Sequence, residues 1–121
     1  MFKKILIANR GEIALRIVRA CKDLGVQSCI AYSEADANTT AVLEADERVC
    51  IGPAPSAKSY LDYARIIGAA VSRGCEAVHP GYGFLSENAE FARACADNDL
   101  VFIGPTPEVI DAMGEKSNAK Q

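Results

Sequence analysis

The sequence has few residues of the kinds that bind metals. It contains a single histidine, and its five cysteines include no Cys-x-x-Cys pair. Zinc sites usually combine closely spaced cysteines and histidines, so this pattern argues against a metal site in the chain. The cysteines stand among apolar or small residues, and we expect them to be reduced and buried in the core. They are Cys21, Cys29, Cys50, Cys75 and Cys95.

An excess of positive charge and a long apolar run are also missing. The net charge is −3, and basic and acidic residues are interspersed along the chain. We therefore expect no binding to nucleic acid and none to membranes. The first apolar stretch ends at Asn9, which is too short for a signal peptide or a membrane span. These features predict a cytoplasmic protein, and 121 residues correspond to one globular domain.

The apolar pattern predicts alternating strands and helices. Strands are predicted at residues 4–8, 26–33, 48–51, 76–78 and 100–103, and the segment 40–45 is ambiguous. The helices between them are predicted to end at Gly25 and to begin at Ser59, Ser86 and Thr106-Pro107. This alternation predicts an α/β fold with an open, doubly wound, mostly parallel sheet of the Rossmann-like type.

Ligands of such sheets bind at the carboxyl ends of the strands. Two nucleotide motifs that could lie there are incomplete. Ala8-Asn9-Arg10-Gly11 supplies one glycine where a dinucleotide fingerprint needs three, which disfavours a Rossmann oxidoreductase. In Gly114-Glu115-Lys116-Ser117 an additional glutamate separates the glycine from the Lys-Ser pair of a Walker A loop. A backbone phosphate cradle is therefore not predicted.

The loop His79-Pro80-Gly81-Tyr82-Gly83-Phe84-Leu85-Ser86-Glu87-Asn88 follows a predicted strand at this edge. Gly81 and Gly83 can adopt backbone angles that other residues avoid and leave their amides open to a polar ligand. Tyr82 could then cover the ligand, and Glu87 could orient a cationic group. The alternative is a structural turn in which the histidine is hydrogen-bonded into the fold and Glu87 complements a helix dipole. The pattern alone leaves both interpretations open.

A polar stripe on the first predicted helix carries Arg16, Arg19 and Asp23. Such a stripe faces either solvent or a partner subunit. The chain has no Ser/His/Asp set, no inward pair of carboxylates and no metal cluster, so we expect no catalytic residue and no metal ligand within it. We therefore expect the chain to contribute only part of an active site.

Several stretches together closely resemble the N-terminal domain of biotin carboxylases. They are Ile7 to Ala14, Ala45-Asp46-Glu47, Ile51-Gly52-Pro53, Ser59-Tyr60-Leu61, His79 to Asn88, Phe102 to Pro105 and Met113 to Lys116. This domain opens the biotin carboxylase component of acetyl-CoA, propionyl-CoA, methylcrotonoyl-CoA and pyruvate carboxylases. The resemblance implies a pre-ATP-grasp domain at residues 1–114, with residues 115–121 starting the connection to an ATP-grasp domain that this chain lacks.

The resemblance also implies a reaction and its participants. In the family, ATP and bicarbonate give carboxyphosphate, which carboxylates biotin on a carrier domain, with Mg²⁺ or Mn²⁺ held mainly by the later domains. It places Tyr82 and Gly83 beside the ureido ring of biotin, Glu87 near the pocket for bicarbonate and biotin, and Lys116 on ATP.

The implied partners are the biotin carboxyl carrier domain, a carboxyltransferase component and a second copy of the chain in a homo-oligomer. Arg16, Arg19 and Asp23 match a helix used for subunit pairing, although the segment from Ala37 to Glu44 lacks the basic character common in the family. The compartment would be the cytoplasm, or the mitochondrial matrix for a eukaryotic parent enzyme. The isolated chain should be inactive, and the alternative function is a non-catalytic ligand-binding or dimerisation module.

Overall fold

The computed structural model describes residues 2–104 and residue Ile110. Its strands are β1 (Lys4–Ile7), β2 (Gln27–Ser33), β3 (Glu47–Gly52), β4 (Ala77–His79) and β5 (Val101–Phe102). Its helices are α1 (Gly11–Leu24), α2 (Thr40–Glu44), α3 (Tyr63–Ser72) and α4 (Ala89–Asp97), and short 3-10 turns cover Glu34–Asp36 and Ser56–Lys58. The ambiguous segment at 40–45 is therefore mostly the short helix α2.

The five strands form one sheet in the order β3-β2-β1-β4-β5, and every neighbouring pair is parallel. β1 is central, with Leu6 opposite Cys29 of β2 on one side and opposite Val78 of β4 on the other. The chain runs outward from β1 through β2 to β3, then crosses back to β4. This confirms the predicted open, doubly wound α/β sheet.

A hydrophobic cluster lies on each face of the sheet, because alternate strand residues point to opposite sides. On one face, Ile5 and Ile7 pack with Ile17 and Val18 of α1 and with Val42 of α2. On the other face, the cluster lies under α3 and α4. It includes Leu6, Cys29, Tyr60, Ile66, Val78, Phe91 and Cys95. Helices on both faces explain why the strands read as continuous apolar runs.

Two predicted helix caps are wrong. The α3 cap is Asp62, whose carboxylate accepts a hydrogen bond from the Arg65 amide, while the Ser59 hydroxyl donates to Pro55 O at 3.0 Å. The α4 cap is Asn88, whose Oδ1 accepts from the Phe91 amide at 2.9 Å. Each helix therefore begins a few residues later than predicted, and the longer amide side chain or carboxylate makes the cap bond.

The prediction for the cysteines is confirmed for four of them, whereas Cys50 on the edge strand β3 is exposed. All five are free thiols. The predicted helix start at Thr106-Pro107, the domain boundary after residue 114, and Lys116 lie outside the described residues. Among the residues that the structure describes, no helix combines the length and the apolar composition needed to cross a bilayer.

Candidate functional site

The carboxyl ends of β1 and β4 lie side by side at the point where the strand order reverses. Adjacent strands whose connections diverge leave a crevice between them, and this is where open α/β sheets bind ligands. The Ala8 amide donates to His79 O at 3.0 Å and joins the two strand ends. The loop after β1 and the glycine loop, which we define as residues 80–87 after β4, border this crevice.

Asn9 connects the two loops. Its side-chain Nδ2 donates to Pro80 O and to Tyr82 O, each at 2.7 Å, and its Oδ1 accepts from the Arg10 amide at 2.8 Å. Asn9 is only 2% exposed. Both hydrogen bonds donated by Asn9 Nδ2 therefore go to the first half of the glycine loop and hold it in place.

The two glycines of the loop are required for different reasons. Gly81 has φ +65°, and a Cβ there would lie 2.7 Å from Ile13 Cγ2 and 2.9 Å from Asn9 Nδ2. Gly83 has φ +71°, but nothing lies within 4 Å of the place where its Cβ would be. Gly81 thus lets the loop approach β1 and α1, whereas Gly83 adopts a left-handed conformation in open space. Among the described residues, no acceptor is paired with the Gly83 amide.

Phe84 continues the left-handed backbone with φ +46°, which is rare for a bulky side chain. The turn around it is closed by the Ser86 amide, which donates to Gly83 O at 2.9 Å. The Phe84 ring stacks on the ring of Tyr60, with centroids 5.0 Å apart and planes at 26°. This stack packs the second half of the glycine loop against the cluster beneath α3 and α4.

Tyr60 is fixed in turn by a buried carboxylate. Its hydroxyl donates to Asp36 Oδ2 at 2.8 Å and accepts from the Ser33 amide at 3.1 Å. Arg10 donates to both carboxylate oxygens of Asp36 at 2.9 Å, and the Ser33 hydroxyl donates to Oδ2 at 3.1 Å. The hydrogen bonds from Arg10, followed by those from Tyr60 and Ser33, lower the pKa of Asp36. Burial, together with the negative charge of Asp36, raises the pKa of Tyr60 to about 12.

His79 contributes a structural bond to the glycine loop. Its Nδ1 accepts from the Gly81 amide at 3.2 Å, and burial lowers the pKa of the imidazole. A neutral ring with an acceptor at Nδ1 is consistent with that bond. The structural interpretation of His79 is therefore correct, while the backbone around Gly83 has the openness required by the ligand-binding interpretation.

Tyr82 and Glu87 both face outward from the loop. Tyr82 is 79% exposed, and Glu87 is exposed in the turn before α4. Glu87 directly precedes Asn88, the N-cap of α4, so its carboxylate lies close to the positive end of the helix dipole as well as to the loop. A groove of about 770 Å³ runs beside α1 and is bordered by Tyr82, Glu87 and Arg16. The loop and one end of the polar stripe thus share a groove.

The three residues proposed for subunit pairing share the exposed face of α1. Arg16 lies 3.7 Å from Glu12, and Arg19 lies 3.3 Å from Glu44 of α2. Asp23 follows one turn after Arg19 on the same face. The polar stripe is therefore continuous with α2, a contact that the sequence did not predict.

Sequence reasoning missed three residues that hold the glycine loop: Asn9, Asp36 and Tyr60. The only local signal was that polar residues follow the buried strands β1 and β2. Within residues 2–104 and at Ile110, no group of three or more His, Cys, Asp or Glu side chains could hold a metal ion. The site is built instead from backbone amides and a buried polar network.

Comparison with known proteins places these features in one family. The family described as "Biotin carboxylase, N-terminal domain" matches residues 1–110. A biotin carboxylase of Nostoc sp. is 60% identical over 120 residues, which are 99% of this chain and 27% of that protein. The mitochondrial propionyl-CoA carboxylase alpha chain of Homo sapiens is 54% identical over 119 residues, which are 98% of this chain and 16% of that protein.

A solved structure agrees with the sequence comparisons. The biotin carboxylase domain of the 2-oxoglutarate carboxylase of Hydrogenobacter thermophilus matches with a TM-score of 0.90 and 51% identity, over 94% of this chain and 25% of that chain. That structure is described as a dimer in complex with MgADP, ADP and bicarbonate. The chain thus spans about a quarter of the biotin carboxylases that it matches and a smaller share of the longer carboxylase chain.

Proposed function

The chain is the N-terminal domain of a protein of the biotin carboxylase family, and we propose that it takes part in the ATP- and bicarbonate-dependent carboxylation of biotin. The observation that carries the proposal is the open amide of Gly83 at the switch point of the sheet. A neutral, planar ureido group presents a carbonyl acceptor that such an amide can bind.

The residues of the glycine loop have distinct roles in this proposal. The Gly83 backbone binds the ureido group, and Tyr82 covers the ring with its exposed aromatic side chain. Glu87 places a negative charge beside the same groove, where it orients a cationic side chain that contacts bicarbonate. The support for these roles is the loop geometry and the bicarbonate named in the complex of the Hydrogenobacter thermophilus relative.

ATP and the metal are proposed to bind mainly outside the described residues. Lys116 would contact ATP as a point charge. Mg²⁺ or Mn²⁺ would neutralise the phosphate charge during transfer of the terminal phosphoryl group to bicarbonate. The described residues do not fit a metal site, since no suitable cluster lies among them. We therefore assign to them no metal ligand.

The proposed partners follow from the reaction. Biotin would be presented on a biotin carboxyl carrier domain and would then deliver its carboxyl group to a carboxyltransferase component. A second copy would pair through Arg16, Arg19 and Asp23, and a dimer is described for one relative. The compartment would be the cytoplasm, or the mitochondrial matrix for a eukaryotic parent enzyme. The name of the human relative describes that protein as mitochondrial.

The proposal is tested on the full-length protein that contains this domain. ADP release is measured with ATP, Mg²⁺ and bicarbonate, with and without free biotin. We expect release that requires bicarbonate and rises with biotin, and no turnover by the isolated 121 residues. ADP release that ignores biotin would overturn the proposal. Absence of ATP cleavage by a folded full-length protein that still self-associates would favour the non-catalytic dimerisation module.

A further inference from the structure

Phe84 has an unusual backbone in a place where glycine is the common solution. Its φ of +46° puts a phenylalanine in the left-handed region, directly after Gly83 at φ +71°. Turns of this kind normally place glycine at such a position, because a Cβ crowds the neighbouring carbonyl. Phe84 persists there because its side chain makes contacts that a glycine lacks.

Phe84 packs against the cluster beneath α3 and α4, and its one ring-stacking contact there is with Tyr60, which is not on the loop. The Phe84 ring stacks on Tyr60 at 5.0 Å, and Tyr60 is 1% exposed. The tyrosine cannot tilt freely, since its hydroxyl is bonded both to Asp36 Oδ2 and to the Ser33 amide. A rigid ring beneath Phe84 therefore selects the strained backbone of the turn over a relaxed one.

The same strained turn determines where Gly83 and Tyr82 lie. Asn9 fixes the loop up to Tyr82 O, and the Phe84 ring fixes it from the other side. Between these two anchors only Gly83 is left, with its amide unpaired within residues 2–104. A binding amide held from both sides loses little freedom when a ligand arrives.

We propose that Tyr60 is a positioning residue for biotin: anchored by Asp36, it holds Phe84 in the left-handed conformation that presents the Gly83 amide. This inference rests on the proposed function for the identity of the ligand, but its structural part does not. Tyr60 has no role in proton transfer, because it acts only through the backbone of the glycine loop.

The test uses full-length protein with three variants. Tyr60→Leu removes the ring, Tyr60→Phe keeps the ring but loses its hydroxyl, and Tyr63→Leu is the matched control. Tyr63 belongs to the same hydrophobic cluster, but its ring packs on Phe91 of α4 at 6.2 Å instead of on the loop. The readouts are kcat and KM for free biotin, KM for ATP, and exchange of the Ser86 amide, whose bond to Gly83 O closes the turn.

For Tyr60→Leu we expect a rise of about tenfold in the KM for biotin, with the KM for ATP changed less than about twofold. Exchange of the Ser86 amide should accelerate by a similar factor. Tyr60→Phe, which keeps the ring but loses the bond to Asp36, should show a smaller rise in biotin KM and a smaller acceleration of exchange than Tyr60→Leu, and Tyr63→Leu should match wild type. A folded Tyr60→Leu protein with wild-type biotin KM and wild-type exchange would overturn the inference, as would an equal biotin effect in Tyr63→Leu.

Phe84→Gly keeps the test decisive if Tyr60→Leu fails to fold. Glycine tolerates the positive φ but lacks the ring, so we expect the same rise in biotin KM and the same faster exchange. Wild-type values in this variant would show that the stack is not needed. If the unaltered protein shows no biotin-dependent ADP release, the proposed function fails, and the exchange measurements alone then decide whether Tyr60 holds the turn.

Discussion

Gly81 lies so close to Asn9 that a Cβ on the glycine would be 2.9 Å from Asn9 Nδ2. The same Nδ2 donates to the carbonyl oxygens of Pro80 and Tyr82, on either side of that glycine. The side chain of the first loop thus occupies the space that any other residue at position 81 would need. Close approach of the two loops, and with it the crevice, depends on this pair.

Substitution of Gly81 should therefore destabilise the protein more than substitution of a glycine that also has a positive φ but has no close neighbours. Gly81→Ala adds a clash with Asn9 and Ile13 to the backbone strain, and we expect a loss of about 2–4 kcal/mol in the free energy of unfolding. Gly74 is the matched control: it has φ +68° and nothing within 4 Å. Gly74→Ala should cost about 1 kcal/mol. Denaturant unfolding measures both, and equal losses would contradict the role of Asn9.

The sequence was enough to predict the sheet and the edge at which the loops after β1 and β4 meet. Runs such as Lys4 to Ala8 lack alternation, which indicates strands covered on both faces, and the parallel order then places the loops after β1 and β4 together. These predictions needed only local patterns and the general rules of α/β folds. The glycine loop was identified for the same reason, since Gly81 and Gly83 are unusual within ten residues of sequence.

The polar network could not be predicted because its members are far apart in the chain. Tyr60 and Asp36 are 24 residues apart, and their bond forms only when the turn after β3 packs against the end of β2. The predictions of the helix caps were wrong for a related reason. Ser59-x-x-Asp62 satisfies the expected pattern, but the Ser59 hydroxyl is taken by Pro55 O, so Asp62 caps α3.

Thiol labelling tests the burial of the cysteines. In the 121-residue chain we expect one thiol, that of Cys50, to react quickly with a thiol reagent near pH 8, because the other four are buried. Burial raises the pKa of Cys21 and raises that of Cys95 to about 11, which further reduces their thiolate fraction. Cys50→Ser should abolish the fast phase, and unfolding should expose the other four. Two or more fast thiols in the folded, unsubstituted 121-residue chain would contradict the packing described.

Reversal of charge at Arg19 tests the proposed subunit contact. In full-length protein, Arg19→Glu should weaken self-association by about tenfold or more, since it reverses the charge at the centre of the proposed contact. Lys58→Glu is the control, because it makes the same change of charge at an exposed position in the turn after β3. Glu44→Gln should preserve association, since it frees Arg19 without removing its charge. Sedimentation velocity measures all three, and an unchanged dimer in Arg19→Glu would exclude this face as the interface.

The buried carboxylate of Asp36 should make stability fall at low pH. Its pKa in the folded protein lies below the ordinary value of 3.8, chiefly because Arg10 donates two hydrogen bonds to it. A depressed pKa stabilises the folded protein at pH values above 3.8, and this contribution is lost as the pH falls from there through the folded pKa.

Asp36→Asn should remove that dependence and should also cost roughly 1–3 kcal/mol near neutral pH, because Arg10 and Tyr60 lose a charged partner. Arg10→Met removes the main cause of the lowered Asp36 pKa, so the stability of this variant should also fall less steeply as the pH decreases below about 4. Chemical unfolding at a series of pH values between about 2.5 and 6 compares the three proteins. If Asp36→Asn loses stability below about pH 4 as steeply as wild type does, the pKa of Asp36 is not lowered in the folded protein, and the bonds from Arg10 and Tyr60 do not stabilise its charged form.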